Sequence, residues 1–73
     1  MKRISELIEA KRLPPPATRK VLRTDAGLTL EDVAGQLGVS KTAIWLWERG
    51  DRVPTGLNRI AYVALLNQLR DAL

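Results

Sequence analysis

Three carboxylates that lie close together in the sequence, Asp25, Glu31 and Asp32, come nearest to a cluster that could do acid–base or metal chemistry. Glu31 and Asp32, however, also suit the positive end of a helix dipole. The chain has no cysteine and no histidine, which removes thiolate ligands, disulfides and the commonest acid–base group at neutral pH. Nothing supplies a nucleophile–base pair or a phosphate-binding loop. We therefore expect no enzyme activity, no metal, no cofactor and no small-molecule ligand.

Basic side chains are abundant and unevenly placed. The 73 residues include 12 Lys and Arg against 8 Asp and Glu, a net charge of +4. Basic residues predominate over 1–24 and again over 38–59, whereas 25–37 carry only acidic ones. Such patches suit a polyanionic partner.

Helices must position these groups. Leucine and alanine dominate the apolar residues, and runs of β-branched or aromatic residues are absent, which predicts an all-α fold. We expect one domain, 1–73, with an N-terminal helix and linker (1–13) and a core (16–72), arranged as a compact five-helix bundle. The helices are predicted at about residues 2–12, 16–26, 30–37, 41–49 and 56–72.

Local signals mark the helix ends. The prolines at 14–16 end the first helix, and Pro16 can occupy the first turn of the second, whose buried side is assigned to Val21 and Leu22. Glycines favour left-handed helix ends, and short hydroxyl side chains favour N-caps, with an acidic partner three residues on completing a capping box. The predicted caps are Thr29 with Asp32, Ser40 and Thr55 at N-termini, and Gly38 and Gly50 at C-termini.

The stretch LTLEDVAGQLGVSKTAIWLWERG, residues 28–50, combines two short helices with a tight glycine turn. Two helices that cross steeply over such a turn need a small residue where their backbones approach, and apolar residues on both inner faces. Ala34 meets the first need. The second is met by Val33, Leu37, Val39, Ile44 and Trp47. The sequence therefore predicts a helix-turn-helix at about 30–49.

This stretch resembles the helix-turn-helix of the phage lambda-type repressor and Cro family, also called the Xre family. The resemblance covers about residues 16–70 and is densest over 27–50. The matching residues are Ala34, Gly38, Val39, Ile44, Trp47, Glu48 and Gly50. It implies a lambda repressor-like fold to which the 2–12 helix is an addition, and an ion pair between Arg23 and Glu48 that would fix the angle between their helices.

The resemblance also implies a docking geometry on duplex DNA, with the helix 41–49 in the major groove. The implied base-contacting residues are Lys41, Thr42 and Leu46, with Trp45 beside them. The implied phosphate-contacting residues are Thr29, the amide of Leu30, Ser40, Arg49, Arg52 and Thr55. Simpler explanations stay open, because Thr29 and Ser40 act as caps in any case and the cations can be solvated surface charges. The basic residues Lys11, Arg12, Arg19, Lys20 and Arg23 are interpreted mostly as a solvated face.

Trp45 and Leu46 depart from the family, whose residues at these positions are more often polar. Helical geometry predicts that Trp45 is substantially exposed. Three explanations stay open: contact with thymine methyl groups, contact with a protein partner, or packing of Trp45 over the N-terminal helix.

The last helix has more apolar residues than one core-facing stripe requires. We expect Leu57, Ile60, Ala61 and Ala64 to face the core. The second surface would consist of Tyr62, Leu65, Leu66, Leu69 and Leu73. That surface could pack on the N-terminal helix or form a homodimer, through the C-terminal helix, the N-terminal helix or both.

The resulting hypothesis is a sequence-specific transcriptional regulator of the phage repressor or Cro type that binds double-stranded DNA. The alternatives are an accessory DNA-binding factor, such as an excision factor or antitoxin, and a protein-interaction adaptor that uses Trp45 and Leu46. No apolar run approaches membrane-spanning length. We expect a cytoplasmic protein of a bacterial cell or infected host, associated with the nucleoid through DNA.

Overall fold

A computed structural model describes residues 12–72, and within this range the fold is all-α. It contains four helices: α1 (Pro16–Asp25), α2 (Leu30–Leu37), α3 (Lys41–Arg49) and α4 (Gly56–Asp71). These confirm four of the five predicted helices to within a residue or two. The predicted helix at 2–12 lies almost entirely outside the described residues.

The boundaries of α1 follow from proline and glycine. Pro16 occupies the first turn, a position that suits proline because the first-turn N–H groups have no partner within the helix. Pro15 precedes it in an extended conformation. The chain leaves the helix through Gly27, whose φ is +74°. Leu22 is buried as predicted, but Val21 is exposed, because neighbouring residues on a helix point about 100° apart.

Local hydrogen bonds fix the start of α2, and the turn between α2 and α3 combines a left-handed glycine with a second cap. The Thr29 hydroxyl accepts from the Asp32 amide at 3.0 Å, and the Asp32 carboxylate accepts from the Thr29 amide at 2.8 Å, so the predicted capping box is present. Hydrogen bonding to the Asp32 carboxylate, chiefly from the Thr29 backbone amide and secondarily from the Thr29 side chain, lowers the pKa of Asp32. Gly38 ends α2 with a φ of +67°, and the Ser40 hydroxyl caps α3 by accepting from the Ala43 amide at 3.1 Å.

The core lies where all four helices meet. Its fully or nearly buried apolar side chains are Leu22, Val33, Ala34, Ile44, Trp47, Tyr62, Val63 and Leu66. The rings of Trp47 and Tyr62 pack with their centroids 5.0 Å apart. Burial raises the pKa of Tyr62 to about 12. The two helices of the helix-turn-helix, α2 and α3, thus pack against α1 and α4.

The structure corrects the predicted orientation of α4. Tyr62, Val63 and Leu66 face the core, whereas Leu57 and Ile60 are 83% and 64% exposed. The predicted core stripe therefore faces solvent within the described part of the chain. Tyr62 and Leu66 are one helical turn apart, and the large ring of Tyr62 fills the space above Trp47. Helical periodicity alone did not decide between the two apolar faces.

Thr55 precedes α4 but its side chain makes no capping hydrogen bond. The next residue, Gly56, has a φ of +56°, so the helix starts from a left-handed backbone, and no first-turn amide donates to the Thr55 hydroxyl. The predicted capping role of Thr55 is therefore wrong.

Candidate nucleic-acid interface

The outward face of α3 carries the residues that were predicted to contact bases. Ile44 and Trp47 are buried against the core, which fixes the rotation of the helix. Lys41, Thr42 and Trp45 are exposed, and Leu46 is half-buried. Trp45 is 46% exposed, in agreement with the prediction. The face thus presents one cation, one hydroxyl and two apolar side chains to solvent.

An open groove runs along one edge of this face, with a volume of about 350 Å³. It lies between α3 and the loop that leads into α4. Five of the predicted DNA-contacting residues line it together: Ser40, Thr42, Leu46, Arg52 and Thr55. Asn58 also lines the groove and was missed, although it lies three residues after Thr55 and therefore on the same side of the first turn of α4.

The opposite edge of the face is a stripe of three residues at helical spacing, Lys41, Trp45 and Arg49. The guanidinium carbon of Arg49 lies 4.7 Å from the Trp45 ring centroid, a distance typical of a cation–π interaction. Arg49 Nε also donates to the Asp51 carboxylate at 2.8 Å. Lys41 Nζ lies 3.1 Å from the Glu31 carboxylate. Packing of Trp45 over the predicted N-terminal helix concerns residues that lie outside the described range.

Thr29 and Leu30, predicted to contact phosphate, do not line the groove. Both lie at the start of α2, where the Thr29 hydroxyl is already occupied by the capping box. What this position offers a ligand is the first-turn backbone of α2.

The angle between α1 and α3 is held by the predicted ion pair. Arg23 Nε and Nη2 donate to the two Glu48 carboxylate oxygens at 2.5 and 2.9 Å, and Nη1 donates to the Leu28 carbonyl at 2.9 Å. Both charged side chains are largely buried. The hydrogen bond to Glu48 raises the pKa of Arg23. One guanidinium therefore joins α1, the loop before α2, and the last turn of α3.

The interpretation of the basic residues on α1 as a solvated face is wrong for Arg19, which is buried. It is only 7% exposed, and burial lowers its pKa. Its Nε donates to the Pro14 carbonyl at 2.6 Å and its Nη1 to the Trp47 carbonyl at 2.8 Å. Arg19 and Arg23 are four residues apart and share one face of α1, a spacing that could have suggested a common inward direction.

Among the described residues, 12–72, no helix has the length and hydrophobicity of a membrane span. In the same range, no group of three or more acidic side chains is arranged to hold a metal ion.

The chain matches a known protein family. The family model described as "helix-turn-helix domain" matches residues 20–70, which is more than half of the chain and includes all of α2, α3 and the groove. Neither the curated proteins nor the solved structures yield a significant match. The chain therefore belongs to the helix-turn-helix domain family, an architecture used for DNA binding.

Proposed function

We propose that the protein is a sequence-specific regulator of transcription that binds duplex DNA with α3 in the major groove. The observation that carries the proposal is the two-sided construction of α3. Its inner residues, Ile44 and Trp47, are locked into the core, while Thr42 and Leu46 face a groove that also contains Arg52. A rigid helix with a polar and apolar outer face is suited to reading base edges.

Each exposed group has a chemical counterpart in DNA. Lys41 can donate to guanine O6 or N7, while Trp45 and Leu46 can pack on thymine methyl groups. Hydroxyls and cations at the rim of the face are suited to phosphate oxygens. These rim residues are Ser40, Arg49, Arg52 and Thr55. A repressor or Cro-like role is the specific form of this proposal that the sequence resemblance favours.

The proposal is tested by fluorescence anisotropy with mixed-sequence duplex DNA across a salt series. We expect binding that weakens steeply with salt, and Arg52→Ala should reduce the slope of log K against log salt by about 1. Lys41→Ala should reduce the affinity for DNA less than Arg52→Ala does, because Lys41 already has an intramolecular partner in Glu31. Arg70→Ala, which removes the same charge at the far end of α4, is the matched control and should bind like wild type. An absence of binding at low salt would overturn the proposal and favour a protein partner for Trp45 and Leu46.

We also propose that two copies bind a two-fold symmetric site by pairing their α4 helices. The outward stripe Leu57, Ile60, Ala61 and Ala64 is apolar and exposed. When two such helices cross antiparallel about a two-fold axis between residues 60 and 61, Leu57 lies opposite Ala64 and Ile60 opposite Ala61. Large residues then meet small ones in both halves, which is the self-complementarity that an isologous interface needs.

Sedimentation velocity tests this pairing. The wild-type chain is expected to shift from monomer towards dimer as its concentration rises. Ile60→Glu should abolish the shift, because it would bury a carboxylate in an apolar contact. Val21→Glu, at an exposed apolar position on α1, should leave it unchanged. A wild-type chain that stays monomeric at every concentration, with and without DNA, would contradict the proposal.

A further inference from the structure

Two of the three cations at the proposed interface are paired with a carboxylate. Lys41 lies 3.1 Å from Glu31, and Arg49 lies 2.8 Å from Asp51. Arg52 has no carboxylate partner among the residues that the structure describes. The three cations and the two carboxylates together carry a net charge of +1, whereas the cations alone would carry +3.

The two carboxylates are on the surface that DNA would approach. The Glu31 side chain is 72% exposed on the first turn of α2, next to the start of α3, and Asp51 is exposed in the loop that follows α3. Neither provides the cap of the helix beside it. Asp32, not Glu31, completes the capping box, and Gly50, not Asp51, provides the left-handed end of α3.

Exposed ion pairs of this kind are weak and exchange readily. On DNA of arbitrary sequence, where Lys41 has no specific base to contact, a phosphate that binds Lys41 or Arg49 must therefore displace a carboxylate, which then stays beside the phosphate and repels it. Binding to DNA of arbitrary sequence depends almost wholly on such cation–phosphate contacts. The carboxylates consequently act most directly on non-specific affinity.

We propose that Glu31 and Asp51 limit the non-specific DNA affinity of this protein by competing with phosphate for Lys41 and Arg49. This inference rests on the proposed DNA-binding function. Because genomic DNA offers a great excess of competing non-specific sites, weaker non-specific binding leaves a larger fraction of the protein free to bind its specific site. Asp51 also leaves the terminal nitrogens of Arg49 available, since it accepts from Nε.

The test compares the variants Glu31→Gln, Asp51→Asn and the double variant on mixed-sequence duplex DNA by anisotropy over a salt series. We expect about three-fold tighter binding for each single variant and about ten-fold for the double variant, with a steeper salt slope. Asp71→Asn is the matched control, because it removes the same charge from an exposed position at the end of α4. It should change the affinity for DNA by less than about two-fold, because salt screens a charge that lies far from the proposed interface.

A second comparison shows whether Glu31 acts through Lys41. In a Lys41→Ala background, Glu31→Gln should lose most of its effect. If wild type binds with steep salt dependence but the three variants behave like Asp71→Asn, the competition is disproved and the DNA-binding proposal stands. If wild type does not bind at low salt, the DNA-binding proposal itself fails. Circular dichroism of each variant confirms that it is folded.

Discussion

Glu48→Gln is expected to lower the free energy of unfolding by about 2–4 kcal/mol, because it leaves the largely buried Arg23 guanidinium without its counter-charge. The two hydrogen bonds to Glu48 at 2.5 and 2.9 Å fix the last turn of α3 against α1. Glutamine has a similar shape but no charge, and it can satisfy only one of the two donors. Urea unfolding followed by circular dichroism measures the change.

An exposed arginine–carboxylate pair, joined by a single hydrogen bond from Nε, provides the control. Asp51→Asn removes the partner of Arg49 at 2.8 Å on the surface, and its cost should be no more than about 0.5 kcal/mol. Replacing both members of the buried pair, in the double variant Arg23→Met with Glu48→Met, should recover part of the lost stability, because burial of an unpaired charge is what costs most. If Glu48→Gln unfolds at the same urea midpoint as the wild type, the ion pair does not hold the helices together.

Arg19→Met is expected to lower the free energy of unfolding by about 2–3 kcal/mol, since it removes two hydrogen bonds from a charged donor. The Pro14 and Trp47 carbonyls that accept them belong to the linker before α1 and the end of α3. The methionine chain preserves most of the packing, so the loss reports mainly on the guanidinium. Chemical unfolding at neutral pH gives the measurement.

Lys20→Met provides the matched control, because it makes the same kind of change at an exposed neighbouring position and should alter stability by less than about 0.5 kcal/mol. Arg19→Lys keeps the charge but lacks the planar fork of donors, so we expect an intermediate loss. Equal stabilities for Arg19→Met and Lys20→Met would mean that the buried guanidinium contributes nothing to the fold.

The helix-turn-helix could be predicted in detail because its signals are local. The Thr29 and Asp32 capping box, the left-handed Gly38 and the Ser40 cap each involve residues no more than a few positions apart. Their geometry is fixed by backbone chemistry and hardly depends on the rest of the fold. The ends of α2 and α3 were therefore predicted within a residue.

The orientation of α4 could not be predicted in the same way. Apolar residues occupy both of its faces, so the periodicity fits Leu57 and Ile60 as well as Tyr62 and Leu66. The choice depends on which side chain fills the space beside Trp47, a contact between residues far apart in sequence. The burial of Arg19 has the same origin, since its acceptor on Trp47 is 28 residues away.

The candidate site was predicted in part. The resemblance identified five groove residues that the structure brings together, among them Thr42 and Arg52. It did not identify the partners of the cations, Glu31 and Asp51. The family pattern describes positions that build the motif or contact DNA, and neither carboxylate is among them.

The two tryptophans of α3 give the chain two intrinsic fluorophores on opposite sides of one helix. Trp47 is buried against Tyr62, so its emission maximum should be blue-shifted in the folded chain and move to the red on unfolding. Trp45 is accessible beneath Arg49, so iodide should quench it selectively. A ligand that covers α3 would protect Trp45 from iodide and leave Trp47 unchanged. Occupancy of this face and integrity of the core can therefore be followed separately, in one unlabelled sample.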